Sequence, residues 1–392
     1  MSRTAAFLAS AVASAIDSSR QAMCDLLASL VAVPTENPPG REYDACITVI
    51  EGALRALNLP SERVPIPGPD GIERSAIRAW YGAPGPTVCF HGHYDVVPAQ
   101  SPGQFAPRLE GDTLFGRGSS DMKSGLVAML YATHALRAAG VGHGRVELLF
   151  VPDEETGGAR GTGALAAAGL VGRDATGMLL PEPTSGRIWH ANRAALSVEV
   201  TVRGRSAHVG LMHQGVNAFE RAVGVVQSLT DLKQDIDARG SILLVGGRVE
   251  AGSGFNVVPD VCRFTIDRRM NPEENFDAER TALLDALERA RAGGVDLDVR
   301  VFQEGRSAFS APDGPVGAAL SAAVAEVTGA APVFEVCPGL LETRFYAERG
   351  VPAFAYGPGI LAVSHGPQEF VRISRMLECA RVYALTAARL LA

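Results

Sequence analysis

The chain has 392 residues, of which 47% are hydrophobic and 20% charged, and a formal net charge of -7. That length exceeds one ordinary core and predicts two domains of a globular protein. The acidic balance argues against nucleic acid or an anionic membrane as the main partner, and no apolar run reaches membrane-spanning length.

The opening "MSRTAAFLASAVASA" has an arginine, a weakly apolar stretch and small residues, as a secretory leader does. Its apolar part is mostly alanine, so the expectation is an alanine-rich first helix. Residues 19–31 then place Met23, Leu26, Leu27, Leu30 and Val31 on one helical face. "PTENPPG" (34–40) breaks that helix, and a second amphipathic helix follows with Cys46, Ile50, Leu54 and Leu57. Strands are predicted over 76–81, 87–92, 146–152 and 177–181, with a long helix over roughly 122–138. This alternation predicts a mainly parallel α/β sheet flanked by helices.

At residue 195 the texture changes. "LSVEVTVRG" alternates Leu196, Val198, Val200 and Val202 against polar partners, which predicts a half-exposed strand. A helix (216–230), strands (241–249 and 258–268), a helix (274–293) and a strand (296–303) follow. The order βαββαβ predicts a small inserted sheet with helices on one face. After residue 308 the αβ texture resumes. The expected division is therefore a catalytic domain in two parts, 1–194 and 308–392, interrupted by an inserted domain over 195–307. The six cysteines are scattered without a C-x-x-C pair. They read as reduced core residues of a cytoplasmic protein.

The chemistry collects at strand ends. "VCFHGHYD" closes on His93 and Asp95, "VELLFVPDEE" on Glu154 and Glu155, and "GMLLPEP" on Glu182; "PAFAYGPG" leads to His365. Asp121 in "GRGSSDMKSG" sits just before the long helix. Ligands of open α/β sheets collect at the carboxyl ends of the strands. Two imidazoles with several carboxylates suit zinc or a similar divalent ion. The carboxylates are too many for one catalytic zinc, whereas two ions bridged by one carboxylate use them all.

"GHYDVVPA", "GRGSSDMKSG", "DEETGG", "EPT", "NVVPD" and "SHGPQEF" occur in that order. From about residue 20 to the end the chain resembles the metallohydrolase family of acetylornithine deacetylase, succinyl-diaminopimelate desuccinylase, aminoacylase and carboxypeptidase G. The resemblance implies a catalytic domain binding two divalent ions (zinc, with cobalt or manganese as alternatives) and a lid that dimerises. His93, Asp121 and Glu182 would hold one ion; Asp121, Glu155 and His365 would hold the other, with Asp121 bridging. Asp95 would bind the far nitrogen of His93 and fix its tautomer. Glu154 would be the general base acting on the water between the ions.

Three lid positions follow from the same resemblance. His208 in "GRSAHVG" would reach the partner subunit's site and polarise the scissile carbonyl. Asn256 would bind substrate. In "TIDRR", strand parity puts Arg268 on the face of Phe264 and Ile266, so Arg269 takes the carboxylate-binding role. Family members often carry an aspartate in a "TDARF"-like stretch; here "LLETRFY" has Glu342 in its place and retains Arg344 as a substrate-binding arginine.

Other polar residues read as structural. His91 shares the strand face of His93 but lies outside the family match. His134 sits on the long helix, His143 and His190 in loops, and Asp153 shapes the turn before Glu154. "RGTG" (160–163) lacks a phosphate-loop context. The expected activity is hydrolysis of the amide of an N-acyl amino acid or related small carboxylate-bearing amide. A dipeptidase or carboxypeptidase on the same scaffold is the alternative. A non-catalytic binding protein predicts loss of a ligand or of the base, and none is lost.

Overall fold

The computed structural model describes residues 3–68 and 70–392, with side chains from residue 6 onward. It contains two compact units: one runs through Ala191 and resumes over Phe309–Val336 and Leu341–Ala392, and the other comprises Asn192–Ala308 with Cys337–Leu340.

The first unit begins with the helices Arg3–Ser18, Arg20–Val31 and Tyr43–Ala56. Its nine-stranded sheet runs Ser61–Ile66, Arg74–Gly82, Arg145–Val151, Thr87–His93, Ala175–Leu180, Ala353–Ala355, Ile188–Asn192 and Ala308–Phe309, with Phe334–Cys337 also pairing Ile188–Asn192. The four central strands, from Arg145–Val151 to Ala353–Ala355, are mutually parallel. Antiparallel strands flank them. The mainly parallel sheet expected from the alternating pattern is therefore present.

Helix Ser124–Ala138 is apolar on almost every side and buried from Ser124 to Leu136 apart from His134, so it is a core helix rather than a surface one. It packs with Phe90, Leu148 and Tyr383 in one cluster. Two glycines allow the close approach: a Cβ at Gly92 would meet Leu126 Cδ2 at 2.6 Å, and one at Gly125 would meet the Pro181 carbonyl oxygen at 2.5 Å. The helix starts at Ser124, two residues later than its periodicity predicts, because Ser119–Lys123 form an irregular turn in which Asp121 has φ −125° and ψ 98°. His190 lies on strand Ile188–Asn192 and stacks against Phe309 and Phe334, not in a loop.

In the second unit four antiparallel strands run in the order Ile242–Ala251, Val261–Met270, Ala194–Arg203, Leu297–Gly305. Alternate residues of Val261–Met270 are buried. Val198, Val200, Phe264 and Ile266 share a core with Val225, Leu283 and Leu287 of the helices. The helix expected over 216–230 forms as Ala218–Ser228, and a second helix that was not expected, Thr230–Ala238, follows it. Asn217 caps the first by accepting from the main-chain N–H groups of Phe219 (3.0 Å) and Glu220 (3.3 Å). Asn275 caps helix Phe276–Ala292 in the same way. Among the described residues no helix is long and apolar enough to cross a membrane.

Candidate metal centre and active site

The first unit gathers its titratable side chains where the parallel strands end. His93 is the last residue of Thr87–His93 and is fully buried. Its Nδ1 lies 3.0 Å from the main-chain oxygen of Asp95, an acceptor, so the ring proton sits there in the neutral form. Nε2 then presents a lone pair. It is buried without a hydrogen-bond partner among the described residues. It faces Asp121 Oδ1 at 3.4 Å, Glu182 Oε1 at 3.9 Å and Glu154 Oε2 at 3.9 Å. A lone pair facing three carboxylates is repulsive unless a cation lies among them.

Asp121 presents its two oxygens to different imidazoles. Oδ1 faces His93, and Oδ2 lies 3.4 Å from His365 Nε2. Glu155 Oε2 lies 3.2 Å from the same His365 nitrogen. The result is two trios that share Asp121: His93, Asp121 and Glu182, and Asp121, Glu155 and His365. Within each, one donor atom per residue lies within 4.8 Å of the others. Each trio is an imidazole with carboxylates, the donor chemistry of a borderline divalent ion. His365 has φ 64°, in the left-handed region that a non-glycine residue rarely occupies.

The electrostatics express the same crowding. Burial, then repulsion from neighbouring carboxylates, raises Glu154 and Glu182 well above the usual range despite the nearby His93. Glu155 is also raised, chiefly by burial. Asp121 goes the other way: burial opposes ionisation, but the facing His365 and His93 imidazoles hold its pKa down. Asp121 and Glu155 raise His365 to about 10. Burial would lower His93, but Asp121 and Asp95 raise it well above its ordinary value. Without a metal, the imidazoles themselves supply the positive charge that the carboxylates require.

Asp95 meets His93 through its main chain as well as its carboxylate. The nearest acceptor to His93 Nδ1 is the Asp95 carbonyl oxygen; Oδ1 of its carboxylate is at 3.5 Å. The carboxylate also accepts the main-chain N–H groups of Glu154 and Glu155, each at 3.2 Å. Asn37 Nδ2 donates to it at 2.9 Å and to Thr156 Oγ1 at 3.1 Å. Asn37 belongs to "PTENPPG", where the sequence signals only a helix break. Asp153 shapes the turn as expected, at φ 73°, accepting from Thr156 and from the Arg160 main chain.

Glu342 is fully buried, and its Oε2 lies 2.7 Å from His91 Nε2. His91 Nδ1 meets the Tyr346 hydroxyl at 3.1 Å. The departure from the family's aspartate thus has a buried partner, which the sequence does not disclose. Arg344 is 3% exposed, and its terminal nitrogens donate to the carbonyls of Leu341 (2.8 Å) and Gly157 (2.6 Å). In this arrangement the guanidinium braces the loop that follows Glu154 and Glu155. The sequence also passed over Arg117 and Glu369, which lie within two of the quoted motifs and form a buried ion pair.

His208, Asn256 and Arg269 belong to the second unit. His208 Nδ1 accepts from the Gly210 main-chain N–H at 3.1 Å, so the neutral ring carries its proton on Nε2, as a donor. The His208 segment bridges the strand-like segment of Asn256: Val209 N–H donates to the Asn256 carbonyl at 2.9 Å, and His208 pairs with Val257. Arg269 is partly exposed and holds Asp267 through Nε (2.6 Å) and Nη2 (3.0 Å). Arg268 is buried and bound to Glu274 and Glu279, as strand parity requires.

The succinyl-diaminopimelate desuccinylase of Alkalilimnicola ehrlichii is 29% identical over 383 residues, covering 94% of this chain and 98% of that protein. The enzyme of the same name from Thioalkalivibrio sulfidiphilus is 30% identical over 325 residues, with coverages of 79% and 85%. Among solved structures, the di-peptidase Dug1p of Saccharomyces cerevisiae superposes with a TM-score of 0.80 at 16% identity, covering 97% of this chain and 98% of that one. The M20 family metallo-carboxypeptidase Sso-CP2 of Sulfolobus solfataricus gives 0.78 at 16% identity, covering 94% and 99%. The family model described as peptidase family M20/M25/M40 matches residues 89–389. The match includes every residue of the two trios, from His93 to His365, and the chain is a hydrolase that belongs to peptidase family M20/M25/M40.

Proposed function

We propose that the protein is a two-metal amidohydrolase that removes the acyl group from an N-acyl amino acid or a related small carboxylate-bearing amide. The observation that carries this reading is the division of the Asp121 carboxylate between His93 and His365. His93, Asp121 and Glu182 would hold one divalent ion, and Asp121, Glu155 and His365 the other. Zinc is the first expectation, with cobalt or manganese as alternatives. When bound, such ions supply Lewis-acid polarisation of the scissile carbonyl and acidify water.

The residues of the chain do the rest. Glu154 Oε2 lies 3.9 Å from His93 Nε2 while belonging to neither trio, and its raised pKa suits it to take a proton from water and return it to the leaving amine. Asp95 fixes the turn from which Glu154 and Glu155 project. His208 offers an Nε2–H donor for the developing oxyanion, with Asn256 on the adjacent segment. Arg269, partly exposed and paired with Asp267, would turn its guanidinium to a substrate carboxylate.

His208 would act in a homodimer formed through the second unit. Helix Ala218–Ser228 exposes Phe219, Val223 and Val226, and the edge strand Ile242–Ala251 exposes Ile242, Leu244 and Val249. Apolar side chains on an edge strand and a neighbouring helix suit pairing with a second copy. The buried cysteines and the relatives' metabolic substrates suit a cytoplasmic enzyme. The deciding experiment is a screen of the metal-loaded protein on N-succinyl and N-acetyl amino acids beside dipeptides. Faster turnover of the acyl substrates is expected; turnover of dipeptides alone would replace deacylase with dipeptidase.

A further inference from the structure

We infer that the buried Arg117–Glu369 pair is a positioning device for the metal held on the His365 side. This inference rests on the two-ion reading above. Arg117 is 1% exposed and Glu369 2%. Arg117 Nη1 donates to Glu369 Oε2 at 2.5 Å. The other Glu369 oxygen, Oε1, accepts the main-chain N–H groups of Ser120 (2.9 Å) and Asp121 (3.0 Å). The other end of the Arg117 guanidinium, Nη2, donates to the His365 carbonyl at 3.2 Å. One ion pair therefore grips the backbone of both Asp121 and His365.

These two ligands need such a grip more than His93 and Glu182 do. His93 is fixed by a central strand, and Glu182 follows one directly. Asp121 sits in an irregular turn, and His365 lies in a loop at positive φ. Neither is held by a helix or a sheet ladder, so their main-chain groups need other partners. Glu369 supplies the acceptor for the Asp121 turn, and Arg117 supplies the donor for His365. Main-chain bonds reinforce the link: Gly116 N–H donates to the Glu369 carbonyl at 3.0 Å. Both gripped residues belong to the trio of Asp121, Glu155 and His365, but only Asp121 belongs to the other. Loosening the pair should therefore weaken the His365 side more than the His93 side.

The test is zinc titration of the metal-free full-length protein, read by calorimetry and by competition with a coloured chelator, alongside thermal melting. His365→Ala identifies which binding step belongs to the His365 side. Partners that orient metal ligands typically contribute about 10–100-fold in affinity. Glu369→Gln should lower affinity on the His365 side by about that factor and affect the other side less. Arg117→Lys preserves the charge but not the fork, so it should weaken the same side while the protein remains folded. This second variant carries the test if Glu369→Gln does not fold. Equal losses at both positions, or unchanged affinity at both in folded Arg117→Lys, would overturn the inference. A wild-type protein that takes up a single zinc would instead sink the two-ion reading, and this inference with it.

Discussion

The Asp95 carboxylate accepts the main-chain N–H of Glu154 at 3.2 Å, and its second oxygen accepts that of Glu155 at the same distance. One side chain thus fixes both the proposed base and a proposed ligand. Asp95→Ala removes both acceptors and leaves buried amides unpaired. It should lower metal affinity and kcat together, each by about 10–100-fold. Asp95→Asn keeps one acceptor and should fall between. Metal titration beside steady-state kinetics checks this; a loss confined to KM would show that Asp95 does not act through the turn.

Glu154→Gln separates base from ligand. The amide keeps the shape of the side chain but cannot take a proton. Turnover should fall by about 10²–10⁴-fold with both metals retained. Elemental analysis of the purified variant decides the second half. Loss of a metal equivalent would make Glu154 a ligand, and full activity would remove it from the mechanism.

Metal uptake should release protons. In the metal-free site His365 is raised to about 10, chiefly by Asp121 and Glu155, His93 is raised by Asp121 and Asp95, and Glu154 and Glu182 are raised by burial, so all four hold their protons to higher pH than usual. Coordination requires neutral imidazoles and ionised carboxylates, so binding displaces these protons and apparent affinity rises with pH. Calorimetric titrations at pH 7 in buffers of different ionisation enthalpy should give different observed enthalpies. Asp121→Ala should reduce uptake at both positions and His365→Ala mainly at one. Buffer-independent enthalpies would mean that the site is already deprotonated.

The proposed ligands were legible because all but Asp121 close or follow a strand whose apolar run is plain, and because motifs such as "GHYDVVPA" and "DEETGG" are local. What supports them was not. Asn37 meets Asp95, His91 meets Glu342 and Arg117 meets Glu369 only once the chain has folded, and none of these pairs leaves a periodic signal. The same limit applies to the fold. Strand Ile188–Asn192 is five residues long, too short for alternation to declare itself. The break between Ala218–Ser228 and Thr230–Ala238 carries no glycine or proline. A guanidinium in a motif suggests a carboxylate partner, but the bonds of Arg344 to two main-chain carbonyls leave no mark in the sequence.

Arg344 therefore yields a discriminating prediction. As a brace on the Gly157 carbonyl it acts through the position of Glu154, so Arg344→Lys should lower kcat with KM little changed. A substrate-carboxylate ligand would raise KM instead. Kinetics on an N-acyl amino acid, compared with the same compound as its methyl ester, separate the two.

The last prediction joins His208 to the chemistry. Its Nδ1 accepts the Gly210 N–H, which leaves Nε2–H as the donor on an exposed ring. If that donor meets the oxyanion, His208→Ala should lower kcat by about 10²–10³-fold and leave metal content intact. In a dimer where each His208 serves the other subunit's site, mixing His208→Ala with Glu154→Gln gives a complementation test. A mixed dimer has one site with both defects and one with neither, so activity should partly return as subunits exchange. Exchange is followed independently with differently tagged subunits. Confirmed mixed dimers that remain as inactive as their parents would place His208 on its own subunit's site or outside the reaction altogether.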